Sequence, residues 1–500
     1  MSDTQKTLEL MKAALAKSDE ALAKTVNTGT GLVAYDLQAP SKNLYPVNTP
    51  IRNRMPRTGG GTGVATNWRV VQAIVGSGYD ASGWVAEGQR TARMSLTTAN
   101  KAANYVTIGE EDQVTFEAIN AGKNFEDVQA TETMRVLQKM MLKEEMAILG
   151  GNQSLALGTT PTPTLSSSGS GGTLPSLTYD VACIALTLEG FKNSSLAGGV
   201  ATTQVVTGAD GQTYTLKGGS AQKSAVATQA VTSPALLNCS VTPVVGAVAY
   251  AWFVGGAGAS RLERITTINS TVFSAALLGT GQTLASITAA DNSLNATLAY
   301  DGLITTAFKA GAFGAYVNTL ATGVVGTGTS LTTSSRGSVT EIDVMLQSMW
   351  DNYQISPTVL YVNSQELKNI TNKVLNASSG PLLQITSPAN DSTTPAFNFT
   401  AGGTIAAYFN PFAMNGGIKM PILIHPNVPA GTIVGYCEEL PMQYRSNGVP
   451  NTAEVKLRQE YYQLDWPLRT RAREFGVYCE EVLAVYAPFG IGMITNIANG

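Results

Sequence analysis

Histidine is almost missing from this chain: 500 residues contain one, His425. A single imidazole rules out any two-histidine metal site. No G-x-S-x-G elbow is present to carry a serine nucleophile. Cysteine is scarce too. Cys183, Cys239, Cys437 and Cys479 lie far apart, with no C-x-x-C, and are expected to be reduced, buried thiols. Charge is thin, at 13% of residues against about 25% in an ordinary globular chain. The formal net charge is −3, so no global basic field exists to hold nucleic acid. Long apolar runs are absent as well. Ser224 to Ser260 carries no charge, but Pro234, Asn238, Ser240, Thr242, Pro243 and Gly246 interrupt it. A membrane-spanning helix needs about 20 predominantly apolar residues in a row. The first residues, MSDTQKTLELMKAALAKSDEALAK, are charged throughout and do not read as a signal peptide.

What is present is unevenly spread. Asp, Glu, Lys and Arg number 32 in residues 1–150, 10 in 151–300 and 25 in 301–500. The charge-poor middle reads as a separate module. Residues 3–26 read as an amphipathic helix with Leu8, Met11, Leu15 and Leu22 on one face. The stretch LVAYDLQAPSKNLYPVNTPIRNRMPR holds four prolines and no helical period. It is too apolar for a free linker and is expected to lie extended across another surface. GGGTGVATNWRVVQAIV follows, with no lysine where a phosphate-binding loop requires one. A strand, not a helix, is expected after these glycines, which read as a pivot from which the arm swings. Residues 76–109 then read as a long hairpin with Lys101 near its tip, too poor in core to stand alone.

EEDQVTFEAINAG reads as a helix ending at Gly122. NFEDVQATETMRVLQKMMLKEEMAILGG reads as the strongest helix, N-capped by Asn124 and stopped by Gly150 and Gly151. Its buried face is expected to carry Ala130, Met134, Leu137, Met141 and Ile148. Residues 159–176, TTPTPTLSSSGSGGTLPS, read as a low-complexity surface loop. QVVTGADGQTYTL reads as a hairpin with an Asp-Gly turn. AVAYAWFV alternates, placing Val248, Tyr250, Trp252 and Val254 on one face; residues 200–300 therefore read as an inserted immunoglobulin-like sandwich. The last 200 residues mix helices (339–353; SQELKNITNKVLN, capped by Ser364) with strands (PTVLYV, GGTIAAYFN, MPILIHP, TIVGYCEEL, EVLAVYAP). AEVKLRQEYYQLDWPLRTRA reads as a long alternating ribbon. The fold class is α+β.

Chemistry is hard to find in this pattern. His425, in IHPNVPAG, reads as a packed loop residue. The pairs Glu110–Glu111, Glu144–Glu145, Glu438–Glu439 and Glu480–Glu481 are poor acid/base dyads, because adjacent side chains do not face each other. They read as solvated faces or partners for arginine. Arg469, Arg471 and Arg473 alternate and are expected to share one strand face, in protein ion pairs rather than on DNA. No catalytic, metal or cofactor-binding residue is expected, and the chain reads as a non-enzyme. What remains is an arm, a hairpin, a strut-like helix and an inserted sandwich, all in need of neighbours.

In this order the parts resemble the major capsid protein of tailed bacteriophages with the Hong Kong 97 fold. The resemblance rests on VAYDLQAPSKNLYPVNTPIRNRMPR followed by GGGTGVATNW, on FEDVQATETMRVLQKMMLKEEMAILGGN, on GAVAYAWFVG and on EEVLAVYAPFGIGMITNI. It implies an N-terminal helix (1–30), an extended arm (31–65), and an E-loop hairpin with a short helix (66–123). It further implies a P-domain with the spine helix (124–199), the insertion (200–300), a return to the P-domain (301–337) and an A-domain (338–452). A P-domain ribbon (453–475) and a closing A-domain strand (476–500) complete the chain. Hexamers and pentamers would tile an icosahedral phage head, assembled in the bacterial cytoplasm around double-stranded DNA held without sequence specificity. Portal and scaffolding proteins, and a decoration protein, are the implied partners; a membrane is not. Tyr35, Tyr45, Arg52, Arg54, Arg57, Trp84, Arg90, Arg93, Lys101, Arg469, Arg471 and Arg473 are the implied intersubunit contacts. Some relatives crosslink a hairpin lysine to a neighbour, but no partner motif for Lys101 is found and none is assigned. Residues 3–26, which many relatives lose to a protease, are expected to be kept. An encapsulin-like shell, or a surface-binding module presented by the sandwich, are the alternative readings.

Overall fold

The computed structural model describes residues 6, 42, 44–79, 81–123, 125–232, 235–335, 337–376, 405–413 and 416–498. The expected helix at 3–26 and Tyr35 lie outside them, Lys6 apart. In chain order the strands are β1 (Arg57–Thr58), β2 (Ala65–Val75), β3 (Ser95–Asn104), β4 (Val106–Thr115), β5 (Thr164–Ser168), β6 (Leu177–Leu186), β7 (Thr203–Thr207) and β8 (Thr213–Lys217). Next come β9 (Ala227–Val231), β10 (Leu236–Ser240), β11 (Ala249–Gly256), β12 (Arg261–Thr266), β13 (Ser270–Phe273), β14 (Tyr316–Thr319), β15 (Thr333–Ser335) and β16 (Ser338–Val339). The last are β17 (Val359–Val362), β18 (Ala407–Asn410), β19 (Ile418–Ile424), β20 (Ile433–Tyr436), β21 (Ala453–Asp465), β22 (Ala472–Val485) and β23 (Ile491–Thr495).

The backbone of the molecule is the long helix Val128–Gly150, roughly 35 Å at 1.5 Å per residue. Its N-cap is Asp127, whose side chain accepts from Ala130 N–H, not Asn124. Its buried row is Val136, Met140, Glu144 and Ile148, a strict spacing of four on one face. The expected face is therefore displaced: Met134 is 55% exposed and Ala130 points to solvent. An apolar-only reading cannot find a face that carries two glutamates.

This helix lies across a four-stranded sheet of order β1-β21-β22-β4, with Phe475, Val477 and Cys479 of β22 and Val455 and Leu457 of β21 in the shared core. EEDQVT belongs to β4, and only Phe116–Gly122 is helical, capped by Thr115. A second sheet runs β14-β23-β20-β17-β19-β18, and its central strands β23, β20 and β17 are buried on both faces. Strand alternation divides its residues. Val359 and Tyr361 of β17 join the long-helix core, while Leu360 and Val362 meet Ile342, Met345, Leu346 and Met349 of the helix Thr340–Tyr353. The helix Ser364–Asn376 begins after Asn363, whose side-chain oxygen accepts from Gln365 N–H; the cap is Asn363, not Ser364.

The inserted module is larger than expected. The chain leaves the body after Gly151 and returns at Gly302, whose N–H donates to Gly151 O at 2.8 Å. At Gly150 a Cβ would fall 2.4 Å from Leu188 Cδ2, so glycine lets the module sit directly against the helix end. Between these points two antiparallel sheets, β13-β10-β5 and β12-β11-β6-β9, pack face to face. Leu237, Cys239 and Phe273 of one meet Tyr179, Val181, Cys183, Tyr250, Trp252 and Val254 of the other. Ala249, Ala251 and Phe253 point the opposite way into a second cluster. Val248 precedes the strand and packs in the long-helix core instead. The supposed loop at 159–176 supplies β5, a Ser/Thr-rich strand at a sheet edge. Lettered A to G in chain order, with the β7–β8 hairpin set aside, the sheets run G-D-A and F-E-B-C. An immunoglobulin domain runs A-B-E-D and C-F-G. Two packed sheets are observed; the immunoglobulin strand order is not.

Candidate assembly interface

The arm and the hairpin, paired in expectation, are treated oppositely by the fold. Pro50 opens a short helix, Pro50–Arg54, with its preset φ. That turn sets Ile51 and Met55 four residues apart on one side, 2% and 6% exposed within the long-helix core. Glu145, itself fully buried, receives the exposed helix N-terminus. Its Oε1 accepts from Ile51 N–H at 3.0 Å and its Oε2 from Arg52 N–H at 2.7 Å. The third bond comes from His425, wholly buried, with Nε2 2.5 Å from Glu145 Oε1. His425 Nδ1 accepts from Asn427 N–H at 3.1 Å, so the ring proton sits on Nε2 and points at the carboxylate. Glu144 beside it takes two guanidiniums, Arg52 Nε at 2.6 Å and Arg57, with the Tyr461 hydroxyl as a further donor. Arg54 grips Glu438 with Nε–Oε1 2.6 Å and Nη2–Oε2 2.8 Å. Below the cluster Glu481 accepts from the Tyr300 hydroxyl at 2.8 Å, and burial pushes its carboxyl above the usual range.

Arg52, Arg54 and Arg57 are thus ion-paired within their own chain. The glycines follow suit. β1 pairs in parallel with β21, and Gly61 N–H donates to Leu457 O at 3.0 Å. A Cβ at Gly61 would stand 2.3 Å from the Tyr105 hydroxyl. Here glycine serves close approach to the ribbon rather than a swing. The signal missed in the sequence is the stripe Val136, Met140, Glu144, Ile148: a glutamate at a core position demands a buried cation, and arginines stood ready in the arm.

Among the described residues the hairpin is anchored at its base. β2 and β3 pair along their length, Ala103 and Tyr105 pack on the core, and Trp68 meets Tyr486 edge-on at 5.3 Å. The turn spans 76–94. Lys101 pairs with Trp68 near the base, not at the tip: TANKAAN, poor in strand formers, is held extended by the partner strand. Toward the tip, Ile74, Tyr79, Met94 and Leu96 are exposed and Trp84 is 95% exposed. Arg90 and Arg93 lie in the same exposed segment. Upstream of the clasped arm, Leu44 and Tyr45 are also exposed.

Arg469 and Arg471 lie in the turn between β21 and β22, with Arg473 opening β22. They do not share a strand face, because Pro467 cannot donate to a ladder and the ribbon ends at Asp465. Arg471 pairs with Glu117 at 2.6 Å, and Arg473 donates to Gln129 at 2.8 Å. Glu439 and Glu480 pair with Arg445 and Arg458, and Glu110 with Lys143. The four cysteines are free and buried; burial pushes the Cys183 thiol well up. Among the described residues no group of histidine, cysteine, aspartate or glutamate could hold a metal ion, and no helix is long and apolar enough to cross a membrane.

No protein-family model matches this chain, and no curated protein matches its sequence. Solved structures that resemble it include phage capsids and an encapsulin. The capsid of the native GTA particle shares 9% identity at a TM-score of 0.41, covering 95% of this chain and 99% of that one. The capsid of myovirus phage XM1 shares 8% at 0.40, covering 94% and 99%. The holo-SrpI encapsulin complex from Synechococcus elongatus shares 8% at 0.39, covering 94% of each. All three scores lie below 0.5, and the functional reading rests on the geometry above.

Proposed function

We propose that this chain is the major capsid protein of a tailed bacteriophage, a shell subunit that tiles with copies of itself into hexamers and pentamers of an icosahedral head. The observation that carries the reading is the hairpin. A body with closed cores extends a two-stranded arm whose distal side chains, Trp84 foremost, the described residues leave in water. Two-stranded ribbons with exposed apolar residues gain stability only against a further surface, and copies arranged by symmetry supply one. The capsid-like order of parts in the sequence supports it. With a net charge of −3, DNA is held by enclosure rather than by affinity. Trp84, Arg90, Arg93 and Tyr45 are the residues proposed to reach neighbouring copies, and portal and scaffolding proteins the partners that shape the head.

Size-exclusion chromatography and negative-stain microscopy of the purified full chain test this. Closed shells are expected. A well-behaved monomer at high concentration overturns the reading, and particles that enclose protein cargo instead of DNA move it to an encapsulin-like compartment.

A further inference from the structure

The buried ion cluster joins three parts of the molecule. Glu144 and Glu145 belong to the long helix, Arg52 and Arg57 to the arm, and His425 to the segment that leaves β19 of the six-stranded sheet. Arg54 makes a second tie from the arm to that sheet's side of the molecule, at Glu438 just beyond β20. Tyr461 adds the ribbon. Hydrophobic residues of like volume often hold such elements together as well as buried ion pairs do. Charge and hydrogen bonds add direction: these elements fit together in one arrangement, and a small displacement leaves charges unpaired.

We propose that this cluster is a conformational clasp. It makes residues 50–58 a fixed part of their own subunit and orients the long helix on the six-stranded sheet, with which it shares one hydrophobic core; its opening loosens the arm. The chain that crosses to a second copy then begins before Thr49, not at Gly59–Gly63. That last point rests on the shell reading; the clasp itself does not.

Glu145→Gln is the sharpest probe, because it keeps the shape. The carboxylate accepts three bonds, from two backbone N–H groups and His425 Nε2–H. An amide brings its own N–H donors into that ring. At the Oε2 position they meet Arg52 N–H. At the Oε1 position they meet Ile51 N–H and force the imidazole proton onto Nδ1, against Asn427 N–H. Either way a buried donor is orphaned.

The arm's arginines make trypsin the reporter. On the unassembled full chain, Glu145→Gln is expected to speed cleavage after Arg52, Arg54 and Arg57 by roughly 10- to 100-fold. Far-ultraviolet dichroism should stay unchanged. His425→Gln, which breaks one bond of the three, should give a smaller rise. Equal cleavage of Glu145→Gln and wild type overturns the clasp. Hydrogen exchange on the wild type decides the matter if a variant fails to fold. Amides of Ile51 and Arg52 should exchange far more slowly than that of Leu44, and equal rates overturn the proposal. A particle map that traced residues 50–58 onto a neighbour's long helix would overturn the clasp and leave the shell intact.

Discussion

The arm and the hairpin are neighbours in sequence, both rich in apolar and basic residues, and they end in opposite places. The arm buries Ile51 and Met55 and spends its arginines on Glu144 and Glu438. The hairpin buries its base and leaves Tyr79 and Trp84 in water. Apolar content therefore does not tell whether a segment meets its own chain or another. What separates them is the presence of a matching receptor. For the arm there is a carboxylate pair in a core stripe, aimed at a helix N-terminus and two guanidiniums. For the distal hairpin the described chain offers no such surface.

The comparison can be broken at four points. The largest effect is expected for Glu144→Ala, which leaves two part-buried guanidiniums without their carboxylate. Loss of one partner of a buried pair costs about 3–5 kcal/mol, read as a lowered midpoint in urea unfolding of the unassembled chain. Ile51→Ala should cost about 2–5 kcal/mol by the same measurement, as a core cavity does; a value near zero would mean that the arm is not part of the body. The sandwich joint gives a smaller effect. Burial pushes the Glu189 carboxyl up to about 7, with a hydrogen bond from Asn295 pulling it back. A carboxyl raised in the folded state loses its proton first in the unfolded chain. Stability should therefore fall as pH rises from about 4.5 to 7, then level off. Glu189→Gln should flatten that fall and gain up to about 3 kcal/mol at pH 8, with no gain at pH 4. The smallest stability effect belongs to Trp84→Ala, within about 0.5 kcal/mol on the unassembled chain. The same variant should raise the concentration needed for assembly, read by light scattering. If it destabilised the isolated subunit as Ile51→Ala does, the contrast between arm and hairpin would be lost.

Much of the architecture was legible in the residues. The alternation in AVAYAWFV, the Asp-Gly turn, the strand after the glycines and the long helix ending at Gly150 each follow from local pattern, because period and turn chemistry act over a few residues. Three expectations failed for one shared reason. The helix face, the hairpin tip and the loop at 159–176 all depend on what lies opposite, whereas the ribbon at 469–473 is cut short locally by Pro467. TANKAAN extends because β2 holds it. TTPTPTLSSSGSGG yields a strand because β10 accepts it.

The amino-acid order by itself determined which segments could become helix or strand, that the middle third is poor in charge, and that no two-histidine site can form. Only the tertiary structure decided which glutamates go inside and which arginines follow them. A charge enters a core when a counter-charge from a distant part of the chain arrives at the same point, and no local pattern encodes that meeting.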